Sequence, residues 1–167
     1  MAESGDVLRS GPGDAWWHDD RGNPIARASR VQQLRSLIDI LDRAVAAQPQ
    51  ADTVVAACGE AEPVSRSLAR DGARLQVTFH HLLQQLEELD LDADLEAARD
   101  TARSLLAYHQ WMLREALAAA FRLPATGGRR RDWPARINGL GAPANRLREL
   151  RSHLHAASGA TIQSTGR

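Results

Sequence analysis

The sequence predicts an all-α fold, an up-down bundle of three long helices with a shorter fourth helix docking from the C-terminal side. Three observations predict it. The 167 residues are 43% hydrophobic but only 4% aromatic, so the core is built from Leu, Ala, Val and Ile, a palette that suits helices better than strands. Apolar residues recur at alternating steps of three and four over long stretches, the spacing of one helix face. No segment shows the two-residue alternation of a half-buried strand, and no internal repeat is evident. At this length one domain is expected.

Residues 1–22 are rich in Gly, Asp and Ser without periodicity and read as an irregular arm. Asn23 and Pro24 then read as the N-cap and first residue of a helix. That helix carries Val31, Leu34, Ile38, Leu41 and Val45 on one stripe. It is expected to stop before Pro49, because a prolyl ring and a missing N–H oppose a helix interior. A separate short helical piece, over roughly residues 51–59, is expected to end at Gly59.

Pro63 opens the next element. Leu68, Gly72, Leu75, Phe79, Leu82, Leu86 and Leu89 form a sustained heptad seam. An acidic link, Asp90 to Asp94, leads into a helix whose first-turn carboxylates suit the positive end of the helix dipole. There Leu95, Ala98, Ala102, Leu105, His109, Met112 and Ala116 make one stripe, and Leu106, Leu113, Leu117 and Phe121 widen it. So wide a face predicts contact with more than one neighbour. The helix is expected to end at Pro124. Residues 23–123 thus read as the bundle and 124–142 as a basic loop rich in Gly and Arg. Residues 143–157 read as a short helix begun by Pro143, with Leu147, Leu150 and Leu154 on one side, and 158–167 as a frayed tail.

Cys58 is the single cysteine, which excludes an internal disulfide. Ala56, Ala57 and Gly59 around it provide no charge to favour a thiolate, so it reads as a small buried hydrophobe. The first twenty residues lack the apolar run of a signal peptide, and no stretch reaches the roughly 20 apolar residues of a membrane span. A cytoplasmic protein without membrane contact is the expectation. There is no G-x-S-x-G elbow, phosphate-binding glycine loop or H-E-x-x-H. No catalytic residue and no cofactor is therefore assigned, and a non-enzymatic protein is expected.

Six histidines raise the question of a metal site in a bundle core. A hairpin turning near residue 91 would set His109 opposite Gly72 and Ala73, and His80 and His81 opposite Thr101 and Ala102. His109 would then lie roughly 10–12 Å along the axis from the other two, too far to share an ion. His153 and His155 are two apart and face different ways. No metal ligand is assigned, and His109 reads as a core histidine accommodated by the missing side chain of Gly72.

Charge is the most uneven feature. The chain is neutral overall and all 21 of its basic residues are arginine. Residues 1–121 hold twelve arginines against nineteen acids, a net of −7, while residues 122–167 hold nine against Asp132 and Glu149, a net of +7. Charge asymmetry of this kind marks contact with nucleic acid or a membrane, or intramolecular docking on acidic helix faces. The acidic counterpart is the hairpin turn, with Glu87, Glu88, Asp90, Asp92, Asp94 and Glu96 against Arg99.

Three of the four tryptophans, Trp16, Trp17 and Trp133, lie outside the long helices. Two adjacent tryptophans in a polar arm either anchor it to the bundle or meet a partner. The partner-binding candidates are therefore Trp16, Trp17, Arg129, Arg130, Arg131, Trp133, Arg136, Arg146, Arg148 and Arg151. The expected function is an interaction or regulatory module that binds another protein. The alternative is nucleic-acid binding through the arginine-rich C-terminal segment, with Trp133 as a stacking platform. A metal-dependent or small-molecule bundle using His80, His81 or His109 ranks last. A homodimer is compatible with the heptad seam.

Overall fold

The structure, a computed structural model, describes residues 28–60, 63–121 and 139–164. Among the described residues the fold is all-α, with four helices: α1 (Arg30–Gly59), α2 (Arg66–Glu87), α3 (Ala93–Phe121) and α4 (Gly141–Ser164). None of them is long and apolar enough to cross a membrane. The arm, the Asn23-Pro24 helix start and most of the 124–142 loop lie outside the described residues.

The helix carrying Val31 to Val45 starts at Arg30 rather than Pro24: Ser29 is extended and caps α1, its hydroxyl accepting the Gln32 N–H at 3.3 Å while the Gln32 side chain accepts the Ser29 N–H at 2.8 Å. This reciprocal arrangement satisfies two N–H groups that a helix start leaves unpaired. The expected break at Pro49 does not occur, since α1 runs through it as one helix of 30 residues. The reason lies on both sides of the proline. Leu37, Leu41 and Ala44 before it and Ala51, Val55 and Cys58 after it continue one buried stripe. Burying those side chains outweighs an interior proline's cost of about 3 kcal/mol. Pro49 itself sits on the exposed side.

α2 starts at Arg66 rather than Pro63, where the Ser65 hydroxyl accepts the Leu68 N–H at 3.2 Å. Its seam is buried as its spacing requires, with Phe79, Leu82 and Leu86 fully enclosed. α3 buries most of its stripe and its widening residues Leu106 and Leu113, with Ala98 and Leu117 half-buried, but Phe121, at the end of the helix, is exposed. α4 has 24 residues, more than the 22 of α2, so it is neither short nor confined to 143–157. Pro143 fits inside its first turn, where an N–H has no partner to lose. Past Leu154 the helix continues because adding a residue to an established helix is easy compared with starting one.

Named contacts give the helix directions. Arg43 bonds Gln85, and Val54 closes on Gly72, so α1 and α2 run opposite ways. Glu87 pairs with Arg103, the rings of Phe79 and His109 lie 5.3 Å apart, and Leu117 closes on Gly72, so α2 and α3 also oppose. Asp52 binds Leu140 and Asp42 binds Arg151, so α4 runs against α1. α1 and α3 each touch the other three helices, whereas α2 and α4 do not meet among the described residues. The core is the strip between α1 and α3, closed by α2 on one side and α4 on the other.

The α2–α3 register differs from the expected one. Gly72 faces Val54 and Leu117, not His109, and a Cβ there would come within 2.9 Å of Leu117 Cδ1. The link is not a tight turn. Leu91 is buried, and the Asp92 N–H donates to Gln33 Oε1 on α1 at 2.7 Å. Pulled across to the start of α1, the link lets the first turn of α3 overhang α2, and Arg30 closes on Asp94 at 2.6 Å. Every α3 residue therefore meets α2 further along than a hairpin centred at residue 91 allows.

Candidate functional site

Apart from Gln33, the buried polar side chains among the described residues, Gln48 and His109, gather where α1, α3 and α4 meet. Gln48, the residue before Pro49, is fully enclosed, as is His109 on α3. His109 Nδ1 lies 2.6 Å from the Leu105 carbonyl oxygen, and only an N–H makes that contact favourable, so the proton sits on Nδ1. Nε2 is then bare and accepts from the Gln48 amide nitrogen at 3.1 Å. The same nitrogen donates to the Ala144 carbonyl of α4, also at 3.1 Å. Turning the amide over would set oxygen against oxygen at Ala144, which fixes its orientation. Gln48 Oε1 is left with no partner among the described residues. Burial holds the His109 imidazole below its ordinary value, against the Leu105 bond and the Asp52 charge, which favour the cation, and with Arg148, which opposes it. His109 is thus neutral, and together with Gln48 it crosslinks three helices. Its hydrogen bonds, rather than space at Gly72, explain its place in the core.

One turn beyond Gln48, Asp52 Oδ1 accepts the Leu140 N–H at 2.8 Å. A side chain of α1 thereby caps the entry to α4. The chain enters through Gly139 at φ 71° and Gly141 at φ 54°, a left-handed backbone that glycine adopts without strain. Leu140 between them is fully buried. Further along, Asp42 receives Arg151 and, at 3.1 Å, His155. Desolvation pushes its carboxyl up, but the bonds from His155 and Arg151 outweigh it and hold it below the usual range. α4 is therefore fastened to α1 by aspartates at its entry and at its middle.

These contacts sort the candidate residues. Trp16, Trp17, Arg129, Arg130, Arg131, Trp133 and Arg136 lie outside the described residues. Arg151 is half-buried on Asp42 and helps seat α4, whereas Arg146 and Arg148 are exposed. The docking partner of the basic helix is the middle of α1, not the acidic hairpin. In that hairpin Glu87 pairs with Arg103 at 3.3 Å and Asp94 with Arg30. His80 and His81 are exposed neighbours with rings 6.2 Å apart. Cys58 is buried, and that burial pushes its thiol up, as expected of a small hydrophobe in the core.

Sequence reasoning passed over Trp111. It sits mid-way along α3, between buried His109 and Met112, yet remains 45% exposed with its ring 5.8 Å from that of half-buried Tyr108. The neglected signal is its position between two stripe residues, which forces it to the opposite side of the helix. Gln48 was equally legible, because positions 41, 44, 48, 51 and 55 form one stripe and 48 is its only polar member. The chain matches no protein-family model, no curated protein and no solved structure.

Proposed function

We propose that the chain is a non-enzymatic, up-down helical bundle that works by binding another protein. The observation that supports this reading best is the Trp111–Tyr108 pair. A large aromatic side chain is held in water on the rigid middle of α3, where packing of its neighbours leaves it little freedom to withdraw. Tryptophan and arginine dominate the energetics of protein interfaces because they combine apolar area with a polar handle. The exposed arginines Arg146 and Arg148 lie on α4, which packs against α3. They are the charged members of the proposed contact, to which we add Trp16, Trp17, Trp133 and the arginines at 129–131 and 136. His109, Gln48 and Asp52 hold the bundle together and take no part.

The test is recovery of a defined partner from the native host with the tagged full chain, crosslinked in the cell and treated with nuclease. A stoichiometric protein partner is expected with the wild type. Trp111→Ala should weaken its binding at least 30-fold, the scale of a hot-spot loss of about 2 kcal/mol. Failure to recover any stoichiometric partner, or recovery by Trp111→Ala and by Arg146→Ala/Arg148→Ala equal to that of the wild type, overturns the reading.

A further inference from the structure

The net charge of −7 over residues 1–121 conceals a basic surface. Between Arg66 and Leu86, α2 carries Arg66, Arg70 and Arg74 against Asp71 alone. Spaced by four, the three arginines lie along one side of the helix, and all three are exposed. Val77, Thr78, His80 and His81 are exposed further along the same helix. Arg74 makes one loose pair, at 3.7 Å with Asp71, and keeps 80% of its side chain in solvent. Arg66 and Arg70 have no ion pair among the described residues. The helix turns its opposite side, Gly72, Leu75, Phe79, Leu82 and Leu86, into the core, so packing fixes this face outward. α2 does not meet α4, which leaves the surface clear of the basic C-terminal helix.

From this face we infer a further function: α2 binds the phosphate backbone of double-stranded nucleic acid through Arg66, Arg70 and Arg74, without reading sequence. Successive arginines rise by about 6 Å along the helix axis; the phosphates of one strand advance by about 3.4 Å along the duplex axis while winding round it, so neighbouring phosphates lie further apart than that rise and match the arginine spacing. Three guanidinium forks therefore meet successive phosphates of a single strand, and guanidinium is the group best shaped for that contact. An anionic membrane fits less well. A helix lying in a lipid interface needs large apolar side chains beside its arginines, whereas Val77 is the only exposed large hydrophobic residue on α2. The acidic hairpin does not cancel the field. From Arg70 to Glu87 the helix rises by about 26 Å, well over the screening length of about 10 Å at 0.1 M salt.

The inference is independent of the protein-binding reading, since it uses none of Trp111, Arg146 or Arg148. It is tested by fluorescence anisotropy of the full chain with a labelled 20-base-pair duplex of random sequence, titrated from about 25 to 200 mM NaCl. The wild type is expected to bind with a dissociation constant of about 10⁻⁴–10⁻⁶ M, the range of non-specific contacts. The logarithm of its affinity should fall linearly with that of salt concentration. R66Q/R70Q/R74Q should reduce that slope by about 2.7, and R70Q alone by about 0.9, at 0.9 per phosphate contact. All three positions are exposed, so circular dichroism should show unchanged helix content, with R70Q as the milder comparison. Absence of binding at the lowest salt, or an unchanged slope in R66Q/R70Q/R74Q, overturns the inference. So does binding that survives R66Q/R70Q/R74Q but is lost in R129Q/R130Q/R131Q. Phosphatidylserine vesicles run in parallel, and binding to vesicles without binding to the duplex also overturns it.

Discussion

The crosslink between Gln48 and His109 makes a prediction whose sign depends on counting unpaired groups. In the native chain, the Gln48 amide nitrogen serves two acceptors, His109 Nε2 and the Ala144 carbonyl, while Gln48 Oε1 is buried without a partner. His109→Leu removes one acceptor, so Gln48 then carries two orphan valences in a dry core, one N–H and Oε1. A new orphan of this kind costs about 1–3 kcal/mol. Loss of the ring contact with Phe79 adds about 0.5–1.5 kcal/mol. Gln48→Met behaves differently in the two backgrounds. In the native chain it exchanges one orphan, Oε1, for another, His109 Nε2, and the change should stay within about 1 kcal/mol. In His109→Leu it removes both orphans and leaves an apolar contact, so it should restore at least about 1 kcal/mol. The Phe79 term is common to both His109→Leu proteins and cancels in the cycle. Urea denaturation of the four proteins measures the coupling, provided the slope with denaturant is unchanged. If Gln48→Met has the same effect in both backgrounds, the proposed network carries no energy and the reasoning fails.

Three further predictions follow from the same junction. Because the folded pKa of His109 is lowered below 6.5, the unfolded chain binds more protons in the window beneath that value. The His109 contribution is then complete above pH 6.5 and lost as pH falls, with a slope of at most about 1.4 kcal/mol per pH unit. His109→Leu should flatten the stability profile in that window, and an unchanged profile would contradict the assignment; Asp42 adds a loss of the same sign at lower pH, beneath 3.8. Asp52→Ala should cost about 1–2 kcal/mol, as cap removal does, and speed amide exchange in α4 more than in α2, while Asp52→Asn, which still offers an oxygen to Leu140, should stay near wild type. Pro49→Ala should stabilise by about 1–3 kcal/mol, since it restores a helical N–H on an exposed side without touching the core, and calorimetry should show a rise of about 2–4 °C per kcal/mol; a fall would mean that α1 depends on its proline.

Much of the helical content was legible in the chain because amphipathic spacing is a local property. The seam from Leu68 to Leu89 and the wide face of α3 were read from residue spacing alone, and the structure turns both to the core, burying Gly72 to Leu86 of the first and most of the second, with Phe121 left exposed. The Pro49 break was the reasonable local expectation. It failed because the opposing term, packing of Ala51, Val55 and Cys58 against other helices, is not local. The length of α4 was missed because a helix propagates past Leu154 without an apolar stripe to mark it, and its docking was invisible because it depends on Asp42 and Asp52, more than eighty residues earlier in the chain.

Composition and periodicity by themselves determined the all-α class, the apolar stripes and the lone buried cysteine, because each follows from which residues a helix places on one side. Tertiary structure decided the register of α2 on α3, through a link drawn across to Gln33. It also decided the partners of His109 and the aspartates that seat α4. Register depends on where a few connecting residues find their hydrogen bonds. A charge summed along the chain does not report the charge of a surface, because folding sends neighbours in sequence to opposite sides and ends of the molecule.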